Sequence, residues 1–287
     1  MRATRALLRA MRSALDSLAV VLLPSNCRIC EQPLVRLARI PVCDSCIGSV
    51  ERAHINGCSV CGEALDLASP EAEPICTLCR RAHPEFDFAV SFGAYDGALR
   101  KLIHLLKYEQ LRPAANILGA TVAQAIAQRS FADAEAVLLI PVPLHRIKQR
   151  FRGFNQSELI ADSAARHLDR ARFSVHGGIL RRVRPTVSQT GLTRHQRREN
   201  VRGAFAVAKP DQLRDRTIVL IDDVYTTGTT LNECARVLRK AGAREVVVAT
   251  VARVYRSRVE MKIVSGTGYA ASSQAQEEQG AVKALAG

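Results

Sequence analysis

The segment from Thr217 to Leu231, TIVLIDDVYTTGTTL, constrains the fold of this 287-residue chain more than any other segment. It begins with an apolar run, Ile218 to Ile221, that is typical of a strand buried on both faces. The run ends at two adjacent carboxylates, Asp222 and Asp223. A turn rich in threonine follows, and apolar residues at helical spacing come after it. The pattern predicts a strand, a tight turn and a helix of an α/β domain.

The turn after the two acids has the chemistry of an anion site. Backbone N–H groups at the start of a helix and the positive end of the helix dipole point to one place. The glycine lets a ligand approach the backbone closely, and the threonine hydroxyls add donors. The turn residues are Thr226, Thr227, Gly228, Thr229 and Thr230. Two adjacent carboxylates suit sugar hydroxyls or a chelated magnesium ion, so the segment as a whole describes a site for a ribose 5-phosphate.

The same segment resembles the phosphoribosyl pyrophosphate motif of type I phosphoribosyltransferases, with one departure. Tyr225 stands where the motif usually carries an aliphatic residue. The resemblance implies that Asp222, Asp223 and the turn bind phosphoribosyl pyrophosphate together with Mg²⁺. A P-loop is excluded because no G-K-[ST] is present, and a dinucleotide fingerprint is excluded because its three glycines are missing. The alternative is an ordinary strand–turn–helix with a surface loop.

Positive charge is concentrated in one part of the chain. Between His145 and Arg202 there are fourteen Lys and Arg residues against four Asp and Glu residues, and the whole chain has a net charge of +14. Such a region predicts a polyanionic ligand, either pyrophosphate or nucleic acid or both. A solvated basic surface is the alternative. With 47% hydrophobic residues, the chain can form one α/β domain and something smaller.

Two segments of this basic region are candidate parts of the site. The first, LHRIKQRFRGFNQSE, follows a strand predicted over residues 136–140, and Arg150 and Arg152 lie in it. Loops at the carboxyl ends of parallel strands converge on one crevice, so we expect this loop to face the acids and hold the pyrophosphate. An exposed basic turn is the alternative. The second segment, residues 184–205, is polar, has no periodicity and is long for a loop, so we expect a flexible lid. The arginines that would close over an anion are Arg194, Arg197 and Arg198.

Eight of the nine cysteines form four C-x-x-C pairs between residues 27 and 79. Two such turns supply the four thiolates of a tetrahedral site, and a segment this poor in apolar residues needs metal to fold. We therefore expect two structural zinc ions, with consecutive turns paired; interleaved pairing and disulfides are the alternatives. The ligands are Cys27, Cys30, Cys43, Cys46, Cys58, Cys61, Cys76 and Cys79.

The two ends of the chain lie outside these motifs. Residues 1–24 predict an amphipathic helix packed on the rest of the protein, with an organellar transit peptide as the alternative. Its uncharged run is too short for a transmembrane segment. Residues 265–287 are small and polar, and they predict a disordered tail. Residues 25–84 then form the double zinc ribbon, and residues 85–264 form the α/β domain.

Together these motifs resemble the ComF family, from the first C-x-x-C pair to about Val254. The resemblance rests on the four cysteine pairs and on four segments, YDGALRKLIHLLKY, PVPLHRIKQRFRGFNQ, RPTVSQTGLTRHQRRENVRGAF and VLIDDVYTTGTTL. It implies a type I phosphoribosyltransferase-like parallel sheet flanked by helices, joined to an N-terminal double zinc ribbon. It also implies a cytoplasmic role in bacterial competence (natural transformation) or DNA utilisation, with proteins of the competence machinery as partners.

Two functions remain open on the sequence. As an enzyme, the protein would be a phosphoribosyltransferase in which Asp222 and Asp223 are the catalytic residues, although no base and no acceptor pocket is recognisable. As a non-catalytic accessory protein, it would keep the phosphoribosyl site and bind single-stranded DNA through the basic region and the ribbons. Bases would then stack on Phe151, Phe154 or Tyr225, and core packing is the alternative for each of these rings.

Overall fold

The computed structural model describes residues 25–36, 39–53, 57–65, 74–131, 134–186 and 193–256. The predictions for the N-terminal helix, for the C-terminal tail and for the middle of the lid therefore lie outside the described residues.

Five parallel strands form the central sheet. They are β1 (Phe88–Ala94), β2 (Val137–Pro141), β3 (Phe173–Val175), β6 (Thr217–Tyr225) and β7 (Glu245–Arg253). Their order across the sheet is β1-β7-β6-β2-β3, which puts β6 in the centre between β2 and β7. A separate antiparallel pair consists of β4 (Leu180–Arg182) and β5 (Phe205–Val207). The α/β fold with a parallel sheet, which the sequence predicts, is confirmed.

Helices cover both faces of the sheet. The eight α-helices in the described residues are α1 (Asp44–Gly48), α2 (Thr77–Ala82), α3 (Gly97–Tyr108), α4 (Ala114–Ile126), α5 (Arg146–Arg152), α6 (Gln156–Ala165), α7 (Arg194–Val201) and α8 (Thr229–Lys240). Helices α3, α4 and α6 share one apolar core with Val219 and Ile221 of β6. Helix α8 shares the opposite core with Ile218 and Leu220. The apolar run of β6 is thus buried on both faces, as predicted. None of these eight helices combines the length and the apolar character that crossing a bilayer requires.

The cysteine-rich segment is built onto the edge strand β1. The backbone N–H of Ala89 donates to the carbonyl of Val60 at 2.7 Å, and that of Ala53 donates to the carbonyl of Phe92 at 3.0 Å. Cys27 belongs to the core on the α3 face, whereas Cys58 belongs to the core on the α8 face. The segment therefore covers a sheet edge that would otherwise expose unpaired backbone groups.

Three local predictions differ from the structure. Strand β6 does not end before the acids, because Asp222 and Val224 continue the ladder opposite Thr250 and Ala252 of β7. The basic loop after β2 contains helix α5, which ends at Gly153 with φ of 77°. The lid segment, predicted to be irregular, contains helix α7, whose first turn is closed by a capping box between Thr193 and Gln196.

Candidate functional site

The carboxylates of Asp222 and Asp223 lie near the carboxyl end of β6 and are held by two helices. The hydroxyl of Ser157, in α6, donates to Oδ1 of Asp222 at 2.8 Å, and the backbone N–H of Asp223 donates to the same oxygen at 2.9 Å. Nζ of Lys107, in α3, lies 2.7 Å from Oδ1 of Asp223. Two helices that precede β6 in the sequence therefore fix the two acids.

Burial and like charge make this pair of acids costly in its ionised form. Loss of water around the carboxylate, and then the charge of Asp223, raise the pKa of Asp222 to about 7, although Lys107 and Ser157 act in the opposite direction. Burial opposes the charge of Lys107 as well, but the carboxylate of Asp223 outweighs it and raises the pKa of that lysine. A further cation or a hydroxyl donor at this position would relieve the repulsion between the acids.

One oxygen of this pair has no partner in the described part of the chain. Asp223 is only 5% exposed, and its buried Oδ2 accepts no hydrogen bond from the described residues. Buried acceptors of this kind are costly unless a donor or a cation satisfies them. The donor set, two carboxylates and the hydroxyl of Ser157, consists of hard oxygens, which is the chemistry that Mg²⁺ prefers.

The threonine-rich turn shares a cavity of about 310 Å³ with the two acids. Gly228, with φ of 72°, is the N-cap of α8, and the hydroxyls of Thr227 and Thr229 lie 2.8 Å apart. Thr226, Gly228, Thr229 and Thr230 line the cavity together with Asp222 and Asp223. The start of a twelve-residue helix thus faces the same space as the carboxylates.

Basic side chains also line this cavity. Lys148 and Arg152 come from α5, and Arg182 comes from β4; Arg150 is not among the lining residues. Nη1 of Arg152 donates to Oε1 of Gln156 at 2.6 Å, which fixes the guanidinium. Burial and the charges of Arg182 and Arg152 lower the pKa of Lys148, and Nε of Arg182 is buried with no partner in the described residues. A bound anion would satisfy these groups.

Two of the predicted lid arginines, Arg197 and Arg198, are not among the residues that line this cavity. Arg198 lines a neighbouring cavity of about 550 Å³, which shares Gly228 and Thr229 with the smaller one. Arg194 is the first residue of the same helix, α7, and Arg197, which also belongs to it, is not among the lining residues of either cavity. The structure brings the acids, the turn and Arg152 together, and it places α7 at the edge of that site.

The cysteines form two tetrads, one from each pair of consecutive C-x-x-C turns. In each tetrad the four sulfurs lie within 4.8 Å of one another. Sγ of Cys30 is 3.6 Å from Sγ of Cys43, and Sγ of Cys61 is 3.7 Å from Sγ of Cys76. A tetrahedral zinc with bonds of about 2.3 Å needs sulfurs about 3.8 Å apart, so each tetrad could hold one structural zinc ion. The consecutive pairing of the turns is confirmed.

Backbone donors point at these sulfurs. The N–H of Cys43 donates to Sγ of Cys27 at 3.3 Å, and the N–H of Cys76 donates to Sγ of Cys58 at 3.3 Å. Such hydrogen bonds stabilise thiolates in the form that binds metal.

Comparison with known proteins agrees with this combination of elements. Residues 155–267 match the phosphoribosyl transferase domain family. The chain is 32% identical over 224 residues to competence protein F of Haemophilus influenzae, an alignment that covers 76% of this chain and 93% of that protein. It is also 32% identical over 232 residues to DNA utilization protein YhgH of Salmonella typhimurium, with coverage of 80% and 97%. The chain belongs to the ComF family.

A third ComF-family relative matches over a shorter part of the chain. Competence protein ComFC of Bacillus subtilis is 33% identical over 105 residues, which cover 37% of this chain and 39% of that protein. The phosphoribosyl transferase match begins at Asn155, so it contains both acids and the turn but neither Lys107 nor Arg152. In this ComF-family protein the acid pocket is therefore completed by residues that precede the matched domain segment.

Several residues of the pocket were not predicted from the sequence, among them a lysine, a serine and an arginine. Lys107, Ser157 and Arg182 line it, and the first two contact the carboxylates directly. Lys107 follows the apolar stripe of α3, where a lysine is usually solvated. A signal was nevertheless present, because Lys107 lies in a segment on which the family resemblance rests.

The three rings considered as base-stacking partners lie in different environments. Phe154 is 7% exposed beneath the guanidinium of Arg112, and Tyr225 is 4% exposed, so core packing accounts for both rings. Phe151, on α5, is 90% exposed. Only Phe151 of the three presents a free ring face.

Proposed function

We propose that this protein binds phosphoribosyl pyrophosphate with magnesium in the cavity at the end of β6. We also propose that it acts in the cytoplasm, in bacterial DNA uptake or in the use of external DNA. The names of the relatives, competence protein F and DNA utilization protein, support the biological part of the proposal. The domain match supports the ligand class.

One observation carries the ligand proposal. Asp223 and Arg182 line one cavity with the start of α8, and each has a buried atom, Oδ2 and Nε respectively, without a partner in the described residues. An unsatisfied acceptor and an unsatisfied donor on residues that line one cavity fit a ligand that carries both hydroxyls and phosphate.

Each part of the ligand has a matching group in the cavity. The 5-phosphate accepts hydrogen bonds from the turn Thr226–Thr230, and the ribose hydroxyls donate to Asp222 and Asp223. The pyrophosphate extends toward Lys148 and Arg152, which line the same cavity. Bound magnesium would neutralise part of the pyrophosphate charge, and the acids together with Ser157 are the groups that would hold it.

Turnover would use the same contacts. The basic residues stabilise the negative charge that develops on the departing pyrophosphate, and the carboxylates stabilise the positive charge that develops on the ribose. The acids are the only carboxylates among the described residues that line this cavity. Release of pyrophosphate by the pure protein, with and without candidate acceptors, distinguishes a phosphoribosyltransferase from a protein that only binds.

A second candidate function is non-catalytic binding of single-stranded DNA. It is supported by the exposed ring of Phe151, which lies in α5 among Arg146, Lys148 and Arg150. A ring next to several cations is the usual arrangement for stacking bases while neutralising phosphates. The test is fluorescence anisotropy with a labelled oligonucleotide. Phe151→Ala should weaken DNA binding about fivefold or more if a base stacks there, and an unchanged affinity would exclude that contact.

The central test of the ligand proposal is the double variant Asp222→Asn/Asp223→Asn. It keeps the size of both side chains and removes their charge. Charge-assisted hydrogen bonds contribute roughly 1.5–3 kcal/mol each, so the affinity for phosphoribosyl pyrophosphate with magnesium should fall by about two to four decades. Isothermal titration calorimetry measures the change.

A matched control removes two exposed acids at the other end of β6. Asp211→Asn/Asp215→Asn makes the same change of charge near the amino end of the strand, far from the cavity. It should bind like the wild type. If the Asp222/Asp223 variant also binds within a few-fold of the wild type, the acids do not hold the ligand and the proposal fails.

A further inference from the structure

In the segment from Thr217 to Leu231, Tyr225 is the one residue that departs from the phosphoribosyl pyrophosphate motif. In the structure its side chain is buried. It is the last residue of β6 and is 4% exposed. Its carbonyl accepts from the backbone N–H of Val254 at 2.9 Å, and its ring meets Phe86 edge-on at a centroid distance of 6.3 Å. The backbone of Tyr225 is thus hydrogen-bonded to the residue after β7, and its ring packs against Phe86.

The hydroxyl of Tyr225 lies next to Gly228 of the threonine-rich turn. A Cβ atom placed on Gly228 would lie 2.3 Å from that hydroxyl oxygen and 2.6 Å from the ring carbon that carries it. Gly228 also has φ of 72°, which disfavours other residues. The end of the tyrosine ring therefore occupies the space that a side chain at Gly228 would need, and the turn packs directly on the ring.

Arg253 connects this ring to the second cysteine tetrad. Its guanidinium lies 4.2 Å from the centre of the Tyr225 ring, and the residue is 1% exposed. Nη1 donates to the carbonyl of Cys61 at 2.5 Å, and Nη2 donates to Oε2 of Glu63 at 2.7 Å. A buried guanidinium that is stacked and paired in this way has little freedom to rearrange.

Glu63 belongs to the second ribbon itself. It is 6% exposed, its Oε1 accepts from the backbone N–H of Arg256 at 2.9 Å, and its carbonyl accepts from the N–H of Cys58 at 2.8 Å. An unbroken chain of contacts thus runs from the Cys58-x-x-Cys61 turn through Glu63, Arg253 and Tyr225 to Gly228. The first tetrad packs on the opposite face of the sheet and has no part in it.

We propose that Tyr225 is a positioning residue for the threonine-rich turn, residues 226–230. Through Arg253 and Glu63 it connects this turn to the second zinc ribbon, which thereby helps to hold the turn in place. The ribbon then sets the shape of the ligand site without touching the ligand. The inference rests on the proposed function only in naming phosphoribosyl pyrophosphate as the ligand that the turn holds.

The test is amide hydrogen exchange, followed by mass spectrometry on the full, zinc-loaded chain without ligand. The decisive variant is Glu63→Gln, which lies in the ribbon and keeps the shape of the side chain but removes its charge. We expect exchange in the turn, residues 226–230, to become about fivefold faster or more, although the substitution is in another element. An effect confined to the ribbon would overturn the proposal.

Three variants at aromatic positions complete the experiment. Tyr225→Leu, which introduces the usual aliphatic residue, should speed exchange in both the turn and residues 57–65, whereas Tyr225→Phe, which keeps the ring over Arg253, should restore most of the protection. Phe173→Leu removes a buried ring at the far edge of the sheet and should change neither segment. If Tyr225→Leu and Phe173→Leu speed exchange in these two segments equally, the substitutions destabilise the whole domain, and the proposal is overturned.

Titration with phosphoribosyl pyrophosphate and magnesium separates this inference from the function it refers to. If the wild type does not bind, the proposed function fails. The hydrogen-exchange result still shows whether the second zinc ribbon is coupled to the turn. If the wild type binds, Tyr225→Leu should weaken binding about tenfold at an unchanged zinc content. Binding equal to that of the wild type would show that the ribbon does not shape the ligand site.

Discussion

At the scale of single residues, the two acids of β6 depend on Lys107. Its Nζ lies 2.7 Å from Asp223, and the two side chains are only 17% and 7% exposed. Lys107→Met keeps most of the volume but removes the ammonium group that pairs with Asp223. Breaking a buried ion pair in this way should lower the free energy of unfolding by about 3–5 kcal/mol. Urea unfolding measures the loss, and Lys209→Met, at an exposed position, is the control.

The loss at Lys107 should also depend on pH. The pKa of Asp222 is already raised to about 7, and removal of the lysine charge raises it further. The folded variant then binds protons that the unfolded chain has already released, so its stability falls as the pH rises between about 5 and 8. Urea unfolding at both ends of this range should show a smaller deficit at the acid end. An equal deficit at both would contradict this account.

At the scale of elements, helix α7 differs most from what its sequence predicts. The polar segment has no apolar periodicity, yet Thr193 and Gln196 cap the helix and Arg184 donates to the carbonyls of Asn200 and Arg202. Val201 and Phe205 are buried against the α8 core. The helix is therefore anchored at its carboxyl end, and Arg198 lines the cavity beside the turn rather than the cavity that contains the acids.

If α7 contacts DNA phosphates, its arginines should determine the salt dependence of binding. Replacing Arg194, Arg197 and Arg198 together by Ala should reduce the slope of log affinity against log salt by about 2 for single strands. The control is the variant Lys209→Ala/Arg214→Ala/Arg216→Ala, which removes the same charge near the amino end of β6. Anisotropy titrations at several salt concentrations give the slopes. Equal slopes for the two variants would place the DNA surface elsewhere.

At the scale of the whole molecule, the two cysteine tetrads are parts of the sheet's own cores. One belongs to the core on the α3 face, the other belongs to the core on the α8 face, and both ribbons pack along β1. Structural zinc contributes its binding free energy to folding. Loss of metal should therefore destabilise the α/β domain as well, instead of unfolding only the cysteine-rich segment.

This arrangement predicts two zinc ions per chain and a single unfolding transition. Elemental analysis of protein purified without a metal-affinity tag should give about two zinc ions, and Cys234→Ala, which changes the cysteine outside the tetrads, should not alter that number. In calorimetry, Cys58→Ser should lower the Tm of the one transition. A value near zero zinc, or a second transition that leaves the sheet at its original Tm, would contradict this.

The sequence by itself determined the features that are local. The apolar run of β6, the periodicity of α8, and the paired C-x-x-C turns each fix a short element through residues close in the chain. Consecutive pairing of the cysteines was predictable because short loops close most readily. The order of acids, turn and helix start was predictable for the same reason, since one continuous segment supplies them.

Only the tertiary structure decided which distant groups meet that segment. Lys107 and Ser157 reach the acids because the parallel strands bring α3 and α6 to the same end of the sheet. Arg253 lies under Tyr225 because β6 and β7 pair in register, and burial then makes its contact with Glu63 possible. Ion pairs of this kind depend on burial and on partners more than one hundred residues apart, and neither is encoded in a local pattern.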